Sequence, residues 1–151
     1  MLDTVTNTAS PRLLLVEDND GDVLLMKHFL KASGFGGQLS RVKDGVEALD
    51  YIYQQGNFAG ADRPDVMLLD LGLPKLSGHE VLQAIRKDDR FRDLPIIVLS
   101  TSKMENDVYQ CMQLGADSFL TKPADLAELE ALVTRLLTVE FPNLVKSPTP
   151  H

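Results

Sequence analysis

The feature that most constrains this chain is a set of short, wholly apolar runs that each stop in polar residues capable of chemistry. Residues 13–16 (LLLV) end in Glu17-Asp18-Asn19-Asp20, and residues 66–69 (VMLL) end in Asp70. Residues 96–99 (IIVL) end in Ser100-Thr101-Ser102, and Phe119-Leu120 leads to Thr121-Lys122-Pro123. A weaker run, Gln38–Val42, lies between the first two. Strands that are apolar on both faces belong in a parallel sheet covered by helices on each side.

The segments between these runs read as amphipathic helices with recognisable ends. Asn19 and Asp20 are cap candidates before the stripe Val23, Leu24, Met26, Phe29, Leu30, and Asp44 precedes Val46, Ala48, Leu49 and Ile52. Ser77 with Glu80 has capping-box spacing before Val81, Leu82 and Ile85; Ser102 with Glu105 repeats it before Val108, Met112 and Leu114. Asp125 and Glu128 introduce Leu126, Leu129, Val133, Leu136 and Leu137, while Gly34 and Gly115 stand where helices should close.

Five strands alternating with five helices imply an α/β, doubly wound parallel sheet. Right-handed crossovers leave few windings, of which the flavodoxin-like order 2-1-3-4-5 is the expectation, with its switch point between the first and third strands. Ligands bind beside that switch point, at the carboxyl ends of the strands. Those two strands end in Glu17-Asp18 and in Asp70.

Other classes fall away on composition. With 151 residues, 44% hydrophobic and 25% charged, the chain has the balance of one globular domain. No run approaches the roughly 18 apolar residues of a membrane helix. A net charge of −7 argues against a nucleic-acid surface. The lone Cys111 cannot form an internal disulfide, which fits a cytoplasmic location. Residues 1–10 read as a flexible lead, 11–137 as the domain and 138–151 as a C-terminal extension.

Clustered carboxylates repel one another, and burial sharpens the repulsion. Such a cluster calls for a cation, and all-oxygen donors suit Mg²⁺, with Mn²⁺ as the second choice. Asp18, Asp70 and the backbone carbonyl of Gly72 are the expected direct ligands, with Glu17 acting through a metal-bound water. The competing reading is that strand-end acids simply cap the next helices. Ser100 and Lys122, at the other two strand ends, weigh against it. Metal, hydroxyl and ammonium around a carboxylate form a charge clamp for a phosphoryl group, with Asp70 as the in-line nucleophile. A Lys followed by Pro can adopt a cis peptide, which would fix the direction of Lys122.

These same residues carry a family resemblance. In order and spacing, Leu-Val-Glu17-Asp18-Asn, Leu-Leu-Asp70-Leu-Gly-Leu-Pro74, Ile-Val-Leu-Ser100 and Lys122-Pro123 resemble the response-regulator receiver domains of two-component signalling. The resemblance implies Asp70 as phosphoacceptor, Glu17 and Asp18 as the acidic pair, Ser100 as switch hydroxyl, Lys122 as the partner lysine and Phe119 as switch aromatic. Three departures stand out. Gly72 has no side chain with which to position a hydrolytic water, Ser102 is only a small polar residue at the other flanking position, and Thr101 replaces a smaller residue. Cys111 reads as an inert thiol. His28 and His79 read as structural or solvated, with a site-rim role left open for His79.

Only fourteen residues follow position 137, too few for a DNA-binding or catalytic output domain, so the expected output is protein contact. The apolar Val139, Phe141, Leu144 and Val145 point to docking on the domain or on a second copy. The long 54–64 segment, the Leu99-Ser100-Thr101-Ser102-Lys103 run and this extension resemble the single-domain regulators that partner bacterial phytochromes. That resemblance implies a sensor histidine kinase of the bacteriophytochrome kind as partner, and a homodimer through the C-terminal helices and strand. Two alternatives stay open: an aspartate-nucleophile phosphatase, against which Gly72 counts, and a receiver-like binding module that is never phosphorylated.

Overall fold

The structure, a computed structural model, describes residues 10–73, 75–101 and 105–141. Strands β1 (Arg12–Val16), β2 (Gln38–Val42), β3 (Val66–Asp70), β4 (Ile96–Ser100) and β5 (Ser118–Thr121) form one parallel sheet in the order β2-β1-β3-β4-β5. Helices α1 (Asp20–Ala32), α2 (Gly45–Ile52), α3 (Gly78–Lys87), α4 (Glu105–Gln113) and α5 (Leu126–Arg135) connect them. This is the doubly wound topology that the alternating runs imply. Short 3-10 turns follow α2 and α3, and a π turn (Leu136–Glu140) extends α5.

Strand alternation divides the core into two layers. Leu13 and Leu15 of β1 pack with α1 and α5, through Val23, Met26, Leu129 and Val133. Leu14 and Val16 face the other way, packing with α2 and α3 through Ala48, Ile52, Val81 and Leu82. β3 and β4 are buried along their full length. A fully buried Leu or Ile contributes roughly 1.5–3 kcal/mol, so strands of this kind fix the sheet.

The helix starts follow the local sequence closely. Asn19, Asp44, Ser77 and Asp125 each accept a hydrogen bond from a backbone N–H of the following turn, and Ser77 with Glu80 makes both halves of a capping box. Gly34 (φ +96°) and Gly115 (φ +104°) take the left-handed conformation just past α1 and α4. The pairing proposed for Ser102 and Glu105 lies outside the described side chains.

The apolar stripes run wider than the core. Leu24, Val46, Met112 and Leu126 are exposed although they lie on the periodic face, because the margin of a stripe is set by what the neighbouring element covers. In the C-terminal extension, Phe141 packs against the α1/α5 layer, and Ser118 Oγ donates to Glu140 Oε1 at 2.7 Å. Val139 points outward; Leu144 and Val145 lie outside the described residues.

Candidate phosphoryl site

Parallel pairing brings the strand ends level. Val16 pairs with Leu69, Asp70 with Leu99, and Ser100 with Thr121. The groups that follow each strand therefore meet at one edge of the sheet.

Glu17, Asp70 and Ser100 are buried there. Lys122 Nζ bridges two of them, 2.8 Å from Glu17 Oε1 and 2.9 Å from Asp70 Oδ2, with Asp22 Oδ2 at 3.7 Å. The Lys122 backbone N–H donates to the Ser100 carbonyl at 2.7 Å, anchoring the lysine where β5 leaves the sheet. No peptide bond among the described residues is cis. The cis Lys122–Pro123 bond entertained from the sequence is therefore not what aims the side chain; that backbone bond and the two carboxylates do.

The acidic loop is held from both sides. Asn19 N–H donates to Glu17 Oε2 at 3.2 Å, and Gly72 N–H donates to Asp70 Oδ1 at 2.9 Å. Arg41, at the end of β2, donates through Nε to the Glu17 carbonyl at 2.8 Å and meets Asp20 Oδ1 at 2.8 Å. The Arg41 hydrogen bond keeps the Asp20 carboxyl below its ordinary range.

Burial raises the Glu17 carboxyl, and the Asp70 charge adds to this, against the opposing bonds from Lys122 and Asn19. Burial alone would lower the Lys122 ammonium, but hydrogen bonds to Glu17 and Asp70 overcome it and hold the amine well above the usual lysine value. The lysine is thus a permanent cation.

Oxygens of Glu17, Asp18 and Asp70 all lie within 4.8 Å of one another. Three carboxylates at that spacing match the donor set of a hard divalent cation, and one ammonium does not neutralise them. Beside them opens a polar cavity of about 530 Å³, lined by Asp18, Asp70, Gly72, His79, Ser100, Thr101, Asp107 and Lys122 among others. A second, more apolar cavity of about 330 Å³ adjoins it, sharing Glu17, Asp22 and Lys122.

Of the residues singled out from the sequence, the structure thus gathers Glu17, Asp18, Asp70, Gly72, Ser100 and Lys122. Phe119 is half-buried in the α2–α4 layer and does not line the cavity. Ser102 and Pro74 lie outside the described residues. Cys111 is fully buried and its thiol is pushed up to about 11 by burial, which fits an inert residue.

His79 is the larger change: it is not simply solvated but lines the cavity. Gly78 explains how. A Cβ there would stand 2.8 Å from Leu71 Cα and 2.9 Å from the Asp70 carbonyl, so only glycine lets the first turn of α3 rest on the end of β3. Arg41 and Asp22 were not singled out as site residues, and no local pattern marks either; their roles come from partners on other strands.

Comparison with known proteins agrees with this geometry. The model of the response regulator receiver domain matches residues 13–134. The response regulator Rcp1 of Synechocystis sp. is 38% identical over 121 residues, covering 80% of this chain and 82% of Rcp1. The crystal structure of the Mn²⁺-bound form of Rcp1 superposes with a TM-score of 0.82 at 34% identity, over 92% of this chain and 99% of that one. The phosphorylated cyanobacterial phytochrome response regulator RcpA superposes with a TM-score of 0.83 at 37% identity, over 93% of this chain and 100% of that one. Fold, strand-end chemistry and family match converge, and the chain belongs to the response-regulator receiver domain family.

Proposed function

We propose that this protein is a single-domain response regulator that accepts a phosphoryl group from a sensor histidine kinase onto Asp70 and thereby switches a protein-interaction surface. The observation that carries this reading is the Lys122 amine, 2.8 Å from Glu17 and 2.9 Å from Asp70, at the edge of a polar cavity that Ser100 also lines.

Asp18, Asp70 and the Gly72 carbonyl would hold Mg²⁺, or Mn²⁺, with Glu17 reaching it through water. When bound, the ion offsets the negative charge of the carboxylates and of the incoming phosphoryl group. The Asp70 carboxylate attacks phosphorus, the phosphorus–nitrogen bond of the phosphohistidine donor breaks, and its electron pair returns to the imidazole. Lys122 holds one phosphoryl oxygen and Ser100 another, preorganised donors aimed at the charge that develops. Drawing Ser100 inward leaves space that Phe119 fills, which changes the α4/β5 face.

The identity shared with RcpA, itself a phytochrome response regulator, supports a bacteriophytochrome as the kinase. The exposed Val139 beside α5 supports a homodimer through the C-terminal helices and strand. No helix among the described residues is long and apolar enough to cross a membrane, in keeping with a cytoplasmic role. At Gly72 a phosphatase of the aspartate-nucleophile class would carry a second acid; its absence favours a phosphoacceptor over a turnover enzyme.

Acetyl phosphate with Mg²⁺, followed by intact mass, tests the site. One phosphoryl adduct is expected in the native protein and none in Asp70→Asn; an equal adduct in that variant refutes the assignment. Ser100→Ala should keep the adduct and lose the phosphorylation-dependent change in partner binding or dimerisation.

A further inference from the structure

Three carboxylates with oxygens within 4.8 Å of one another repel, so the protein itself must hold them together before a cation arrives. Asp70 is fixed by β3, by the Gly72 N–H and by Lys122, and Glu17 by burial and by Lys122. Asp18 is the exposed member of the three, so packing does not set its direction. That direction is inherited from the backbone on either side of it, in the turn between β1 and α1.

Arg41 grips this turn at two points. The Glu17 carbonyl, which accepts from Arg41 Nε at 2.8 Å, belongs to the peptide bond that leads into Asp18. Asp20, whose carboxylate meets Arg41 Nη2 at 2.8 Å, opens α1 just beyond. Asp18 lies between the two. The strand register shows why a side chain is needed there. β1 and β2 pair as far as Val16 opposite Val42, and the Glu17 N–H still donates to the Val42 carbonyl at 3.1 Å. Where that ladder ends, Arg41 continues it with a side-chain donor. A guanidinium suits the task, because its planar fork reaches two acceptors at once where an ammonium is a single point. Its charge alone would act in the opposite sense. A fixed positive group beside the cluster repels an incoming cation, so any gain in cation binding must come through geometry.

We infer that Arg41 is a positioning residue for the divalent cation. It holds the Glu17–Asp18 peptide and the start of α1 so that the Asp18 carboxylate stays beside those of Glu17 and Asp70, and it thereby raises cation affinity despite its own charge. This rests on the acidic cluster being the cation site. Ligands held in place in advance need not be drawn together by the ion, and outer partners that orient them are typically worth about ten- to a hundredfold in metal affinity.

The test measures Mn²⁺ binding to the unphosphorylated protein at one fixed ionic strength, from the electron paramagnetic resonance signal of the free ion. Arg41→Met keeps the length of the side chain and removes its charge and donors; its affinity should fall about tenfold. Arg41→Gln also removes the charge, but its amide nitrogen stands as many bonds from the backbone as the arginine Nε and can donate to the Glu17 carbonyl. Its affinity should return to within about threefold of native. Arg41→Val, suited to a strand, gives a second donor-free variant should the Met protein fail to fold, as judged by its melting transition without metal. A donor-free variant that binds Mn²⁺ as tightly as native, or more tightly, overturns the inference, since charge would then outweigh geometry. So does a Gln variant as weak as the donor-free ones, because the bond to the carbonyl would then count for nothing. No Mn²⁺ bound by the native protein overturns instead the cation site itself, which separates the two failures.

Discussion

The two ends of the β-sheet treat charge in opposite ways. At the amino end, acids are matched. Asp117 Oδ2 accepts from Ile96 N–H at 2.7 Å and from Arg86 at 3.0 Å. Arg86 also donates to the carbonyls of Gly115 and Phe91, each at 2.8 Å, and so ties α3 to the turn after α4. Asp65 takes the Arg12 N–H at 2.6 Å. At the carboxyl end Glu17, Asp18 and Asp70 crowd together around the single ammonium of Lys122. The amino end is built for stability, while the carboxyl end keeps an unbalanced charge that a divalent cation would offset. Stability given up at a reactive site is a common trade.

The largest expected effect comes from breaking the matched end. Arg86→Ala removes three hydrogen bonds from a mostly buried guanidinium and should cost about 3 kcal/mol in denaturant melts, while phosphorylation by acetyl phosphate stays near native. Loss of phosphorylation in a still-folded variant would mean that the ends are not separable. At the other end the sign reverses. Asp18→Asn relieves repulsion and should stabilise the metal-free protein by roughly 1 kcal/mol, and it should lack the rise in melting temperature expected of the native chain in Mg²⁺. A destabilised variant that still responds to Mg²⁺ would contradict the reading of the acidic cluster.

The smallest effect sharpens the contrast with a matched acid close to the site. Burial pushes the Asp44 carboxyl up, but the Glu47 N–H and the Lys75 ammonium, 3.3 Å away, prevail and hold it below its ordinary range. A depressed carboxyl contributes stability above its unfolded value and loses it as pH falls through the folded one. Asp44→Ala, which also removes the cap of α2, should cost about 1 kcal/mol at neutral pH. The difference should shrink below about pH 4. A difference that stays constant with pH would assign the effect to the cap alone.

The fold was legible because β1, β3 and β4 are apolar on both faces, a pattern that few other architectures accommodate. The convergence of Asp70 and Lys122 was legible for a related reason: in a parallel sheet, residues that end successive runs arrive at the same edge. Capping residues such as Ser77 act within one turn, so their effect is written locally. Arg41 and Arg86 act across 24 and 29 positions of sequence, on backbone carbonyls that have no residue identity to read. His79 sits on a helix that gives no sign, from its own periodicity, of touching a strand end. Its position depends on a contact made by the residue before it.

That contact reaches further than α3. With a hydrogen atom as its only side chain, residue 78 works as a spacer of fixed thickness between the helix and the backbone of Asp70 and Leu71. Lengthening it, as in Gly78→Ala, would press the new methyl on the Leu71 Cα and the Asp70 carbonyl, so that either the helix lifts away or the end of β3 moves. A single methyl group on a helix would thus be felt at the strand end that carries Asp70.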